Sequence, residues 1–108
     1  MKFGVLKESI VEELKKIFDP EIPVNIYELG LIYGIECAQE SEGIKCVVTM
    51  TLTSVGCPVS ESLVDQVRNI GYVIDDYPDL VVEPYLVFEP PWSQDKMSDE
   101  AKLQLGML

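Results

Sequence analysis

The stretch LIYGIECAQESEGIKCVVTMTLT, residues 31 to 53, has the pattern of two β-strands joined by a polar turn. The strands are predicted over Leu31 to Ala38 and Ile44 to Thr53, with the turn at Glu40 to Gly43. A turn centred between Ser41 and Glu42 makes every cross-strand pair on one face apolar: Leu31 with Leu52, Tyr33 with Met50, Ile35 with Val48, and Cys37 with Cys46. Because a shift of one residue would scramble that face, pattern and turn predict the same register.

Amphipathic helices are predicted on both sides of this hairpin. Apolar residues at helical spacing predict a first helix from about Lys7 to Phe18, which ends there because Pro20 disfavours helical geometry at the residue before it. A second helix is predicted from Pro58 to about Ile74, with Gly71 as the point where it could break.

The rest of the chain predicts a third strand and a short last helix. The strand runs from about Val81 to Phe88, and Pro84 indicates an edge position or a bulge, since proline cannot donate to a ladder. After the rigid loop EPPW, residues 89 to 92, Ser98 is the predicted cap of the last helix and Gly106 its stop. The fold class is therefore α/β (α+β): one two-layer domain over residues 1–108, with a small mixed three-stranded sheet packed with helices in the order αββαβα.

Charge and hydropathy exclude several functional classes. The 108 residues include 8 basic and 19 acidic side chains and no histidine, and the net charge of -11 repels nucleic acids and anionic membranes. Lys7 and Glu8 interrupt the only apolar run at the N-terminus, and no 18 apolar residues are consecutive. We therefore expect a soluble, cytoplasmic protein that binds neither nucleic acid nor membrane.

Three cysteines, an odd number, match no zinc-ribbon spacing, and without histidine a closed zinc site in one chain is not expected. A disulfide framework is not expected in a reducing compartment either. Cys37 and Cys46 are predicted to be small hydrophobic residues of the sheet face. The alternative is a cross-strand redox pair, which a thiol count before and after mild oxidation would reveal.

Topology directs attention to Cys57, in the stretch TSVGCPVSES at residues 53 to 62. In an antiparallel hairpin, the end of the second strand lies beside the start of the first, so the DPEIP loop at residues 19 to 23 arrives near Cys57. With the usual right-handed crossover, the third strand is parallel to the second and the EPPW loop emerges at the same end. Three irregular segments then converge where α/β proteins commonly bind ligands.

The pKa of the Cys57 thiol is subject to opposing influences. A helix N-terminus favours the thiolate, whereas Asp19, Glu21 and Glu61 would oppose it by like-charge repulsion, so the net sign stays open. The nearby hydroxyls of Thr53 and Ser54 could bind a ligand or merely cap the helix. The alternatives without a function are a small buried cap for the cysteine and solvated carboxylates for the acidic residues. For Trp92 the structural interpretation, an aromatic plug over the core, is favoured.

At these residues the sequence resembles the iron-sulfur cluster assembly domain family, which includes the SufT-like and PaaD-like bacterial proteins. The resemblance runs through DPEIPVNIYELGLIYGI at 19 to 35, VTMTLTSVGCPVSESLVDQV at 48 to 67 and LVFEPPWSQDKMSDEAKLQLGML at 86 to 108. It implies a two-layer α/β fold with its characteristic thiol at Cys57. It also implies site-lining positions around that thiol at Asp19, Glu21, Ile22, Thr53 and Ser54. PaaD-like members carry additional cysteines in a C-terminal extension. This sequence ends at Leu108 without one, so we expect it to be closer to the SufT-like members.

The resemblance implies a non-enzymatic role in the maturation of iron-sulfur proteins, as a carrier or adaptor between scaffold and client. Its expected partners are iron-sulfur scaffold or carrier proteins, apo client proteins and a P-loop ATPase, since the domain also occurs joined to one. No stably bound cofactor is expected, but Cys57 would ligate iron or an iron-sulfur cluster transiently. Because a cluster usually takes four cysteine ligands, binding would need a homodimer, a partner protein or a small thiol.

Two other functions are kept as alternatives. In a thiol enzyme, Cys57 would be the nucleophile and Asp19 or Glu21 the proton carrier, although the absence of histidine removes the commonest base. In a pure adaptor, Cys57 would be structural and the acidic surface would recognise a partner.

Overall fold

The computed structural model describes residues 3–19, 22–53, 60–74, 77 and 79–106. Its regular elements are α1 (Gly4–Leu14), β1 (Ile32–Glu40), β2 (Gly43–Met50), α2 (Ser60–Arg68), α3 (Ile70–Val73), β3 (Val81–Leu86), a 3₁₀ turn (Gln94–Lys96) and α4 (Asp99–Gln104). The predicted α+β class and mixed three-stranded sheet are confirmed. No helix in the described ranges is long and apolar enough to cross a membrane.

The hairpin register is confirmed over most of its length and wrong at its open end. Ile35 pairs with Val48 and Cys37 with Cys46 across a two-residue turn, as predicted. The predicted pairs of Leu31 with Leu52 and of Tyr33 with Met50 do not form, because the register shifts between Ile32 and Gly34 and Ile32 lies opposite Met50. The shift inserts Tyr33 as an extra residue, which is the geometry of a β-bulge.

The sheet order is β1-β2-β3, with β1 antiparallel and β3 parallel to the central strand. The backbone N-H of Val87 donates to the carbonyl of Met50 at 2.8 Å. By alternation along β3, the backbone nitrogen of Pro84 then faces away from β2, where its missing N-H breaks no ladder bond. The predicted edge position of Pro84 is confirmed.

A glycine lets α3 cover part of this edge. The α-carbon of Gly71 lies so close to the edge backbone that an added Cβ would stand 3.1 Å from the carbonyl oxygen of Leu80 and 3.4 Å from the nitrogen of Val82. The outer edge of β3 is therefore partly covered by a helix and partly blunted by proline, two devices that oppose strand addition.

Helix boundaries differ from the predictions in three places, the first being that α1 begins at Gly4 rather than near Lys7. Helix α1 ends at Leu14 rather than Phe18. After it the backbone hydrogen bonds span three residues instead of four, from Lys16 N to Glu13 O and from Ile17 N to Leu14 O. The second predicted helix is interrupted at Asn69, two residues before Gly71. Its predicted start at Pro58 lies outside the described residues.

The last helix begins and ends as predicted. The Ser98 hydroxyl accepts a hydrogen bond from the Ala101 N-H at 3.1 Å, which is the expected N-cap. Gly106 follows the helix with φ +74°, the left-handed conformation that glycine adopts at low cost.

The core lies between one face of the sheet and the helices. The buried apolar side chains come from every layer of the fold: Leu6, Ile10, Leu14, Ile26, Leu31, Cys46, Val48, Met50, Leu63, Val67, Val82 and Ala101 are among them.

Cys37 and Cys46 lie on the core face of the sheet and are joined by a disulfide. Their pairing was predicted, but the expectation that they are only small hydrophobic residues is wrong. Directly opposed positions bring the two α-carbons to 4.0 Å, so both sulfurs project into the same space. The cross-strand pair that the sequence left as an alternative is the arrangement found.

Candidate functional site

The candidate site lies at the end of the sheet where β2 finishes. The Thr51 N-H donates to the carbonyl of Leu31 at 2.8 Å, which holds the start of β1 against the chain leaving β2. Thr51 itself is 1% exposed. β3 leaves the sheet at the same end, since Val87 bonds to Met50. The predicted convergence of these segments follows from one antiparallel and one parallel ladder.

The loop after α1 is tied to this end by backbone hydrogen bonds. The Leu31 N-H donates to Ile26 O at 3.2 Å, and the Ile26 N-H donates to Ile17 O at 2.8 Å. Ile26 is fully buried between these two contacts. Asp19 lies two residues beyond Ile17 and is only 7% exposed, so an acidic residue is enclosed at the border of the site.

The segment after β3 forms a strap, residues 89–98, across the start of β1. The indole Nε1-H of Trp92 donates to Leu29 O at 2.7 Å, and the Ser98 N-H donates to Glu28 O at 2.9 Å. Trp92 also packs against the core, which confirms its predicted role as an aromatic plug. The strap is thus held by two bonds to consecutive carbonyls.

Gly30 admits the strap to close backbone contact. Its φ is +82°, and a Cβ there would overlap the backbone carbonyl of Lys96. The positive φ and the contact both exclude a larger side chain without movement of the backbone.

Tyr33, the bulge residue, provides a third anchor for the strap. Its hydroxyl donates to Pro90 O at 2.6 Å. The ammonium of Lys96 lies 5.2 Å from the ring centroid, a cation-π distance. Desolvation raises the pKa of the Tyr33 phenol above its usual value of 10.0, the Glu89 charge adds to the rise, and the Thr51 hydrogen bond opposes it.

We expect Tyr33→Phe to lower the free energy of unfolding by about 1 kcal/mol, because phenylalanine lacks the hydroxyl that donates to the carbonyl of Pro90 in the strap. A raised phenol pKa contributes stability that is complete below pH 10 and is lost as the pH rises through the folded-state pKa. The difference between wild type and variant should therefore shrink above pH 10. Urea unfolding at several pH values measures it, and ultraviolet titration should show one wild-type phenol displaced to higher pH. Equal stability of the two proteins at pH 7 would contradict this role.

The structure describes half of the predicted site residues. Asp19 and Ile22 belong to one loop, in which the Ile22 N-H donates to the carbonyl of Asp19 at 3.4 Å. Thr53 is half-buried two residues beyond the Thr51 contact. Glu21, Ser54 and Cys57 lie outside the described residues, so their predicted positions around the thiol stay predictions.

Sequence reasoning missed three residues of this region: Gly30, Tyr33 and Thr51. The glycine at position 34, inside a strand pattern, is the signal for a bulge that could have marked Tyr33. Gly30 and Thr51 carried no comparable signal, because their partners lie far along the chain or at a strand end.

Comparison with known proteins identifies the family to which this arrangement belongs. A model of the family described as "Iron-sulfur cluster assembly protein" matches residues 7–70. The chain belongs to that family. The matched range includes the loop at Asp19 and the stretch that contains Cys57.

Relatives and solved structures agree with this assignment. The chain is 41% identical over 107 residues to the "Fe-S protein maturation auxiliary factor" of Porphyromonas gingivalis, covering 99% of this chain and 97% of the other. It is 41% identical over 91 residues to the Staphylococcus aureus "Fe-S protein maturation auxiliary factor SufT", covering 84% and 98%. The crystal structure of a domain of unknown function, DUF59, from Bacillus anthracis matches with a TM-score of 0.79 at 32% identity, covering 96% and 94%.

Proposed function

We propose that this protein is a non-enzymatic accessory factor in the maturation of iron-sulfur proteins, and that the Cys57 thiolate transiently ligates iron or a cluster. Relatives that match nearly the whole chain carry the name of maturation auxiliary factors. The observation that carries the local part of the proposal is the convergence of three segments at the end of β2, immediately before the stretch with Cys57.

The donor set available in one chain favours transfer over storage. Cys57 is the single thiol outside the disulfide pair, whereas a cluster usually takes four cysteine ligands. Asp19, or Glu21 beside it in sequence, would add an oxygen ligand. The remaining ligands would come from a second copy of the chain, a partner protein or a small thiol, and the cluster would be cargo.

The charge of the protein bears on its partners. A net charge of -11 favours encounter with basic surfaces of scaffold, carrier or apo client proteins, and salt would weaken that attraction. A P-loop ATPase is a further proposed partner, suggested by the family resemblance. The cytoplasmic location stays a prediction.

We expect a Cys57→Ser strain to lose the activity of iron-sulfur client enzymes. The measurement compares client activity in cells that carry wild type, Cys57→Ser or the matched variant Cys37→Ala/Cys46→Ala, with the amount of each protein determined by immunoblot. The matched variant removes the other two thiols and should keep client activity. Full client activity in the Cys57→Ser strain would refute the thiol role. If that variant still captured client proteins as wild type does, the function would be that of an adaptor.

A further inference from the structure

We propose that Cys37 and Cys46 form a reversible thiol-disulfide exchange site, which a protein dithiol of the Cys-x-x-Cys kind reduces by attack on the sulfur of Cys37. The site lies in the hairpin near the β1-β2 turn and uses no residue of the candidate cluster site. It therefore does not depend on the role proposed for Cys57.

The hairpin backbone holds the two cysteines opposite each other. They are directly opposed, with α-carbons 4.0 Å apart, and the neighbouring pairs of Glu36 with Val47 and Ala38 with Lys45 are in register on both sides. The ladder positions both cysteines without the bond. Opening or closing the disulfide therefore requires no strand to move, which is the condition for a reversible reaction in the folded protein.

The two sulfurs are unequally accessible. Cys46 is 0% exposed on the central strand, between β1 and β3. Cys37 is half-buried on β1, an edge strand of the sheet. Exchange needs the attacking thiolate to reach one sulfur in line with the bond, and access decides which one. Since Cys37 is the less buried of the two and lies on the edge strand, it is the sulfur that an incoming thiolate reaches, and Cys46 is then the leaving thiolate.

The backbone at Cys37 also presents an open edge. An α-carbon separation of 4.0 Å identifies a non-hydrogen-bonded pair, so the N-H and C=O of Cys37 point away from β2. Among the described residues, no other segment donates to or accepts from that outer edge of β1. β3 is different, since Pro84 and the close approach of Gly71 protect its edge. An incoming protein can thus add a short strand beside Cys37 while its thiolate attacks.

The exchange is balanced in atoms and electrons. The reductant thiolate bonds to Sγ of Cys37 while the Cys37-Cys46 bond breaks, and Cys46 leaves as a thiolate that takes a proton from water. The second thiol of the reductant then attacks the reductant's first sulfur in the mixed disulfide. The bond to Cys37 breaks, and Cys37 leaves as a thiolate that is protonated in turn. The net result is two thiols in this protein and one disulfide in the partner, a two-electron transfer. A small disulfide such as oxidised glutathione reverses it.

Trapping the mixed disulfide tests the site. Oxidised Cys57→Ser protein, which keeps only the pair, is mixed in native buffer with a Cys-x-x-Cys protein whose second cysteine is replaced by serine, and the adduct is mapped by peptide mass spectrometry. We expect an adduct on Cys37, and two titratable thiols after reaction with the intact dithiol protein. Wild type whose Cys57 is first blocked with iodoacetamide serves as a second substrate if Cys57→Ser does not fold.

The matched control is Cys37→Ala in the Cys57→Ser background, which has no intramolecular disulfide for the trap thiolate to attack and should form no adduct. Circular dichroism should give the same folded spectrum before and after reduction. An adduct on Cys46, or reaction only after urea unfolds the protein, would overturn the proposal.

Discussion

Gly30→Ala should lower the free energy of unfolding by about 3 to 5 kcal/mol, a large fraction of the stability of a domain of this size. Two effects add at this position. The residue has φ +82°, which is strained for any side chain, and the new methyl group would overlap the Lys96 carbonyl. Because that carbonyl belongs to the strap, relief of the overlap should also move the strap away from the start of β1. Urea unfolding monitored by Trp92 fluorescence measures both stability and environment.

Two other glycines separate these effects. Gly106 has φ +74°, and no atom of the described residues lies within 4 Å of the place a new methyl group would take, so Gly106→Ala should cost only about 1 kcal/mol. Gly34 has neither positive φ nor a close neighbour in the described part of the chain, so Gly34→Ala should change stability by less than about 1 kcal/mol in either direction. If Gly30→Ala were no more harmful than Gly106→Ala, the close contact between the strap and β1 would be refuted.

Ile26→Ala should cost about 2 to 5 kcal/mol, the range for truncating a fully buried isoleucine. Ile26 is 0% exposed, and its backbone is hydrogen-bonded to both Ile17 and Leu31. A cavity at this point loosens the loop that carries Asp19, so the variant should also be cleaved faster by protease within that loop.

The matched control for this truncation is Val5→Ala. Val5 is 72% exposed on α1, and alanine favours a helix, so the change should stay within about 0.5 kcal/mol. Thermal unfolding and limited proteolysis of the two variants side by side test the prediction. Similar losses in both would show that the buried contacts of Ile26 do not hold the loop.

The parts of the fold that depend on local pattern were predictable. Alternating apolar residues around a two-residue turn specified the pairs of Ile35 with Val48 and Cys37 with Cys46. The register failed at Tyr33, the extra residue of the bulge, whose hydroxyl donates to Pro90 O, a partner 57 residues away in sequence. Periodicity carries no information about such a contact.

Other features depended on tertiary packing or on chemistry beyond the pattern. The chain from α2 to α3 breaks at Asn69, while Gly71 faces the backbone of β3, so the glycine marks a close approach rather than the break itself. The pairing of Cys37 with Cys46 was predicted, but a bond between them was only the alternative to two small hydrophobic residues, since the redox state of the pair depends on the surroundings of the protein. The convergence of segments at the end of β2 followed from strand directions alone, and that part of the candidate site was predicted correctly.

Anaerobic reconstitution with iron, sulfide and a small thiol tests the role of Cys57 most directly. Wild type, Cys57→Ser and Cys37→Ala/Cys46→Ala are treated in parallel, and bound iron, acid-labile sulfide and visible absorption are measured after desalting. We expect wild type and Cys37→Ala/Cys46→Ala to bind iron and sulfide and to show cluster absorbance. Cys57→Ser should bind neither iron nor sulfide. Equal iron, sulfide and absorbance in Cys57→Ser and wild type would contradict the assignment of Cys57 as the ligand.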